Sequence, residues 1–315
     1  MRILFMGTPE FAAISLRSLL NTNHEIVGVV TQPDRPKGRG LELQPSEVKL
    51  VALAQQLPLW QPEKVNTPEF IDLFRQLKPD VVVVVAFGQK IPAPVLFEPE
   101  FGCINVHGSL LPRYRGAAPI QWSILNGDAT AGVTTMYMDE GWDTGDIIYQ
   151  SATPVDPDEN FASLYQRLAI LGGELLVKTL ADVAGKTAPR IPQNSSEATL
   201  APKLKPELQL LNWNEPAERL HNIVRVLAPT PGAETYLGRE RLKILKTALF
   251  ETTPETALTP GSIIQIVKKQ GIVVATGSQP LLISELQPAG KKTMAATDYA
   301  NGRRLSLGMI FGTNV

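Results

Sequence analysis

Five consecutive valines, Val81 to Val85 within DVVVVVAF, leave few folds open to this chain. β-Branched side chains are stiff at χ1 and pack well on a pleated surface. A strand that is apolar at every position, not at every second one, must be covered on both faces, as central strands of parallel α/β sheets are. The flanking sequence agrees. RILFM and EIVGVV are short β-rich runs, and FAAISLRSLL and FIDLFRQL between the runs read as helices. Both helices follow Thr-Pro-Glu, at Thr8, Pro9, Glu10 and at Thr67, Pro68, Glu69. Each triplet offers a cap residue, a proline for the first helical position and an acid for the first turn. Repeated alternation of this kind predicts an open, mostly parallel, Rossmann-like sheet. GVTTMYM and DIIYQS add two strands, and a long amphipathic helix through Gly172 and Gly173 closes a first domain over residues 1–185.

Residues 186–206, KTAPRIPQNSSEATLAPKLKP, are proline-rich with few apolar side chains, and read as a linker laid over the surface. Residues 207–315 form a second unit. It opens with a possible helix, PAERLHNIVRVL, followed by short β-rich runs: RLKILKTALF, GSIIQIVKKQGIVVATG, PLLISEL and RLSLGMIF. That pattern predicts a small β-barrel of oligonucleotide-binding (OB-like) type. Twelve basic and nine acidic residues give it +3, against −4 for the rest of a chain whose total is −1. A whole-chain nucleic-acid coat is therefore excluded, and polyanion contacts have to come from local clusters.

The sequence also narrows the chemistry. FMGTPEF places one glycine between a strand and a helix, where a dinucleotide fingerprint needs three. One cysteine, Cys103, cannot form an internal disulfide, and three scattered histidines offer no metal spacing. No stretch reaches the roughly 18 apolar residues of a membrane span, and the chain is expected to be cytoplasmic. TQPDRPKGRGLELQPSEVK, with Pro33, Pro36, Pro45, Gly38 and Gly40, reads as a mobile loop carrying Arg35, Lys37 and Arg39. Such a loop is either a solvated surface feature or an arm that meets phosphates, and its place after the second strand, where ligand sites gather, favours the arm.

CINVHGSLLPRYRGAAPIQW draws the residues of interest together. CINVH reads as a strand, so Asn105 and His107 face the same side. A lone histidine there is either a hydrogen-bonded structural residue or a site residue; the glycine- and proline-rich loop that follows at once favours a site. Downstream, MDEGWDTGDIIYQ offers Asp139, Glu140, Asp143 and Asp146, one of which could orient or protonate His107. Amide, imidazole and carboxylate suit chemistry at a carbonyl carbon: two groups hold an oxyanion and the third steers a proton. Ser109 lacks the Gly-x-Ser-x-Gly elbow of a nucleophile, which favours direct transfer.

GTPEFA, TQPDRPKGRG, AFGQKIP, INVHGSLLPRYRGAAPIQW and GWDTGD, in that order, followed by ATLAPKL and a small barrel, resemble the folate-dependent formyltransferases over essentially the whole chain. The basic arm and the carboxyl-terminal barrel resemble the branch of that family acting on tRNA. The resemblance implies transfer of the formyl group of 10-formyltetrahydrofolate to the α-amine of initiator methionyl-tRNA, with no metal. It implies Asn105, His107 and Asp143 as catalytic residues. Folate contacts are implied at Phe87, Gly88, Gln89, Lys90, Ile91, Ser109, Leu110, Leu111 and Pro112. Arg35, Lys37 and Arg39 of the arm are implied tRNA contacts, with Arg39 at its tip. In the barrel, Lys268, Lys269, Lys291, Lys292, Arg303 and Arg304 are the basic groups expected to meet tRNA backbone. Partners expected are tRNA and folate, not DNA or membrane. Two alternatives stay open: a folate-dependent formyltransferase or hydrolase acting on a small molecule, which leaves arm and barrel idle, and a noncatalytic RNA-binding protein, which leaves the Asn, His and Asp set unused.

Overall fold

A computed structural model describes residues 1–37, 42–251 and 258–312. The amino-terminal part runs β1 (Arg2–Gly7), α1 (Glu10–Leu20), β2 (Glu25–Val30), β3 (Arg35–Lys37), β4 (Glu42–Gln44), α2 (Glu47–Ala54), β5 (Leu59–Trp60), α3 (Pro68–Leu77), β6 (Val81–Val85), α4 (Ala93–Phe97) and β7 (Cys103–His107). It continues through α5 (Pro119–Leu125), β8 (Thr130–Tyr137), β9 (Ile147–Pro154) and α6 (Phe161–Ala184). The strands form one sheet in the order β5-β2-β1-β6-β7-β8-β9. From β5 to β7 every pair is parallel, and β8 joins antiparallel. The valine strand is the central, fourth strand of the seven, between β1 and β7, with all five valines buried. Full burial of one such side chain is worth about 1.5–3 kcal/mol.

The chain builds outward from β1 to β2 and β5, then returns to β6 on the other side of β1. That reversal creates a switch point at the carboxyl ends of β1 and β6, where open α/β sheets bind ligands. Gly7 ends β1 in close contact: a Cβ there would come within 2.9 Å of the Val85 carbonyl oxygen. The two Thr-Pro-Glu triplets behave differently. Thr67 caps α3, its hydroxyl accepting from Phe70 N at 3.3 Å. Pro9, not Thr8, occupies the cap position of α1 without a side-chain bond, and the Thr8 hydroxyl instead donates to the Phe87 carbonyl at 3.1 Å. A long-range acceptor for the hydroxyl has taken the place of a local backbone N–H donor.

Two glycines that would weaken an isolated helix allow α6 to lie close to its neighbours. A Cβ at Gly172 would sit 3.0 Å from Val106 Cγ1, and one at Gly173 2.4 Å from Ser18 Oγ. The basic segment expected as an irregular loop contains a two-stranded ribbon, with Arg35, Pro36 and Lys37 paired to Gln44, Leu43 and Glu42. Both strands of a ribbon are edges, so a proline without an N–H is tolerated.

The remainder of the chain contains α7 (Ala217–Leu227), β10 (Ala233–Leu237), β11 (Glu240–Leu249), β12 (Ile263–Val267), β13 (Gly271–Val274), β14 (Leu281–Pro288), β15 (Met294–Ala295), α8 (Ala296–Arg303) and β16 (Phe311–Gly312). Its antiparallel sheet runs β12-β13-β14-β11-β10-β16, with β15 beside β14. The sheet curls until its ends meet: Ile263 N donates to Met309 O and Phe311 N to Gly261 O, both at 2.8 Å. A small antiparallel barrel is thus present, as the short strands predicted. The helix α8 was not legible, because MAATDYANGR carries Asp, Asn and Gly at positions unfavourable to a helix.

By internal contacts the chain divides into two units. One comprises Met1–Pro119, Thr130–Thr153 and Tyr165–Pro202; the other Ile120–Ala129, Pro154–Leu164 and Lys203–Val315. Residues 186–202 therefore pack with the unit that holds the parallel sheet.

Candidate functional site

β7 delivers Asn105 and His107 to the carboxyl edge of the sheet. Asn105 pairs with Val84 of β6 and Met136 of β8, and His107 with Thr134. Two residues apart on one strand, their side chains share a face. Asn105 is 8% exposed and His107 6%. The Asn105 amide makes no hydrogen bond among the described residues, yet it is not among the fully enclosed side-chain atoms left without a partner there, which are Ser123 Oγ and Arg225 Nε. An enclosed, unpaired amide would cost several kcal/mol. The Asn105 amide therefore reaches an opening, available to a ligand.

His107 is oriented by backbone. Nε2 lies 2.9 Å from the Tyr114 carbonyl oxygen. A carbonyl can only accept, so Nε2 carries the hydrogen. Nδ1 is left facing Asp143, 3.7 Å from Oδ2. That separation is too long for a hydrogen bond and close enough for strong attraction between a carboxylate and an imidazolium.

Of the four carboxylates in the turn, the structure brings Asp143 to His107. Asp139 is occupied locally, accepting from Gly141 N at 2.9 Å and the Thr144 hydroxyl at 2.7 Å. Glu140 is exposed, and Asp146 lies 3.8 Å from Arg190 Nη1. Asp143 stands in the left-handed region, φ 54°, and its Oδ2 accepts from Gly116 N at 2.8 Å. Nothing in the residue pattern marks the Tyr114 carbonyl or the Gly116 N–H, because nearly every residue carries such groups.

Neither Ser109 nor Cys103 is set up as a nucleophile. The Ser109 hydroxyl donates to Arg113 O at 2.6 Å inside its own turn. Cys103 is buried, its thiol 3.4 Å from Met138 Sδ, and desolvation pushes its ionisation far above the ordinary thiol range. Among the described residues no group of three His, Cys, Asp or Glu side chains could hold a metal ion, and no helix is long and apolar enough to cross a membrane.

Two loops border the site. After β6, Phe87 and Ile91 are buried, Gly88 and Lys90 are exposed, and Gln89 is committed to Val65 N at 3.0 Å. The Phe87 carbonyl accepts from Thr8 and from Gln32. After β7, Leu111 is buried beside Met136 and Ile147, its N–H donating to Thr134 Oγ1 and its carbonyl accepting from Gln150 Nε2. Leu110 and Pro112 are half-buried. These loops are therefore held in fixed positions by their own hydrogen bonds to the rest of the unit.

The basic residues are dispersed. Arg35 pairs with Glu63 at 3.0 Å. Lys37 is the last residue of β3, and Arg39 lies outside the described residues. Lys268 and Lys269 occupy the exposed turn between β12 and β13, and Lys291 and Lys292 the exposed turn after β14. None of these four makes an ion pair among the described residues. Arg303 is bound to Glu240, which also accepts from the Tyr299 hydroxyl at 2.9 Å, while Arg304 is exposed with φ 51°.

Comparison with known proteins gives consistent matches. The profile of the family described as Formyl transferase matches residues 1–180, and that of Formyl transferase, C-terminal domain, matches residues 203–304. A methionyl-tRNA formyltransferase of Symbiobacterium thermophilum is 47% identical over 311 residues, 99% of this chain and 95% of the relative. One from Trichlorobacter lovleyi is 49% identical over 310 residues, 98% and 96% respectively. Among solved structures, an N-formyltransferase of Helicobacter canadensis, in complex with folinic acid and dTDP-3-aminofucose, matches with TM-score 0.63 and 18% identity over 89% of this chain and 98% of its own. HypX of Aquifex aeolicus in complex with tetrahydrofolic acid matches with TM-score 0.59 and 18% identity, over 95% of this chain and 47% of its own. At such identity these two likenesses speak to fold alone.

Proposed function

Since the chain belongs to the formyl transferase family, we propose a role for each group gathered at the end of β7. The protein is a methionyl-tRNA formyltransferase, formylating initiator methionyl-tRNA. Its formyl donor is 10-formyltetrahydrofolate, bound as a substrate along residues 87–91 and 109–112. Both loops border the catalytic groups and are held in place by internal hydrogen bonds, which supports that placement. Gly88, Lys90, Leu110 and Pro112 meet the donor; Phe87, Ile91 and Leu111, being buried, shape the loops that do so.

The ester joining methionine to tRNA withdraws electrons, which keeps part of the α-amine unprotonated. Its lone pair attacks the formyl carbon, a C–N bond forms, and the carbonyl electrons move to oxygen. The Asn105 amide and Nδ1–H of the His107 imidazolium donate to that oxyanion, in a site where such donors need no reorganisation. Asp143 stabilises the imidazolium from 3.7 Å and takes the proton lost by the amine. Collapse breaks the bond from the formyl carbon to the folate nitrogen, which takes from Asp143 the proton that the amine gave up. No protein nucleophile takes part.

One observation carries these roles: an amide without a hydrogen-bond partner among the described residues shares a strand face with an imidazole whose Nδ1 faces a carboxylate. Catalysis belongs to residues 1–185. The barrel of residues 207–315 holds the tRNA body through Lys268, Lys269, Lys291, Lys292 and Arg304, and the arm around Arg39 follows the acceptor end. The reaction takes place in the cytoplasm, where initiator tRNA is charged and used. The test is a formylation assay with charged initiator tRNA, charged elongator tRNA and free methionine as competing acceptors. Initiator methionyl-tRNA should take nearly all the formyl group. Equal transfer to free methionine would transfer the assignment to the small-molecule branch.

A further inference from the structure

Residues 191–201, which sequence alone presents as part of a linker, make most of their bonds to the two segments that hold the catalytic groups. A single amide spans both. Gln193 Nε2 donates to the carbonyls of Asp143, at 2.9 Å, and Gly145, at 2.8 Å, while its Oε1 accepts from Arg115 Nε at 3.1 Å and Nη2 at 2.8 Å. Six residues on, Thr199 holds the loop that follows His107: its hydroxyl accepts from Tyr114 N at 2.8 Å and its carbonyl from Arg115 N at 2.8 Å. Ala201 extends the pairing, donating from N to Arg115 O at 2.7 Å and accepting at O from Ala118 N at 3.0 Å.

Both held segments need holding. Tyr114, whose carbonyl accepts the hydrogen bond from His107 Nε2, has φ 62°, and Asp143 has φ 54°. The left-handed region costs a non-glycine residue about 1–2 kcal/mol, so these conformations persist only where surrounding bonds over-determine them. Gly116, whose N–H fixes Asp143 Oδ2, has φ 122°, and a Cβ there would meet the Ala201 carbonyl oxygen at 2.9 Å. The strap thus bonds to the backbone of Tyr114, Arg115, Ala118, Asp143 and Gly145, the residues that carry or flank the groups aiming the imidazole and the carboxylate, and makes no hydrogen bond to either side chain itself.

We propose that residues 191–201 form a positioning strap, with Gln193 and Thr199 as positioning residues that fix the geometry between His107 and Asp143. This rests on the catalytic roles assigned above. Misplacement of a reacting group by about 1 Å can cost around a hundredfold in rate. Gln193→Ala should lower kcat by roughly 10- to 100-fold, leave KM for both substrates within about twofold, and alter the pH profile of kcat. Gln193→Glu should do the same, since a carboxylate still accepts from Arg115 but cannot donate to two carbonyls. Thr199→Val keeps the shape and removes the acceptor for Tyr114 N; it should lower kcat about tenfold or more, and Thr199→Ser should restore it.

The experiment is steady-state kinetics across pH on the full-length variants, with thermal unfolding recorded on the same samples and His107→Ala measured alongside. Should Gln193→Ala fail to fold, Thr199→Val and Thr199→Ser decide. Wild-type kcat and pH profile in Gln193→Glu and Thr199→Val, whatever their melting temperatures, would overturn the strap, as would a Thr199→Ser variant no better than Thr199→Val. If His107→Ala keeps its turnover, the catalytic roles fail first; if it loses turnover while the strap variants do not, only the strap fails.

Discussion

Replacing Asp143 by Asn isolates one charge. Asparagine tolerates the left-handed conformation at φ 54°, and its side-chain oxygen can still accept from Gly116 N, so the turn should survive. What disappears is the negative charge 3.7 Å from His107 Nδ1. At an effective dielectric constant of about 20, unit charges roughly 4 Å apart attract by about 4 kcal/mol, which sets a ceiling near three powers of ten on the loss of imidazolium stabilisation at 1.4 kcal/mol per decade. Loss of the carboxylate as proton acceptor adds to this, and solvent at the partly exposed Asp143 subtracts from it. A fall in kcat of about a hundred- to a thousandfold is expected, with an altered pH profile and KM for tRNA almost unchanged. Single-turnover transfer from 10-formyltetrahydrofolate to charged initiator tRNA, at several pH values, measures the chemical step directly. A variant with near-normal single-turnover rate and an unchanged pH profile would refute the reasoning and leave Asp143 as a turn residue.

Asn105→Ala and His107→Ala each remove one oxyanion donor and should lower kcat by about two to three orders of magnitude without weakening tRNA binding, which a filter-binding titration beside the kinetics would check. Arg39→Ala should lower both turnover and apparent tRNA affinity, whereas neutralising Lys268, Lys269, Lys291 and Lys292 should chiefly raise KM and flatten its salt dependence, as loss of phosphate contacts requires; an unchanged salt slope would place tRNA binding elsewhere. His221 is buried with Nδ1 3.0 Å from Thr247 Oγ1 and Nε2 3.0 Å from the Pro157 carbonyl, and desolvation lowers its pKa. The unfolded chain therefore takes up this proton first as pH falls through about 6.5, so stability is retained above that pH and declines below it. Urea unfolding from pH 8 to pH 5 should show a shallower acid-side loss in His221→Gln than in the parent.

Local chemistry determined much of this protein from its sequence. Five β-branched residues could only be a strand covered on both faces, and strand-helix alternation around it fixed a parallel sheet whose ligand edge lies at the carboxyl ends. The period of two in a strand put Asn105 and His107 on one face without reference to any other part of the chain. Tertiary structure decided what local pattern cannot encode. The residue pattern offered four carboxylates within eight positions, and resemblance alone singled out Asp143; folding satisfied Asp139 inside the turn, placed Asp146 near Arg190 and carried Asp143 to His107. Thr8 has the local sequence of a cap, yet Phe87, 79 positions away, provides its acceptor. Residues 186–206 look like a linker because prolines and polar side chains rule out a helix or an apolar strand, and nothing in that composition says where its hydrogen bonds go. They go to Arg115, Tyr114 and Asp143, between 50 and 85 positions away in the chain, because hydrogen-bonding groups pair with whatever the fold brings within about 3 Å, and only the fold determines that.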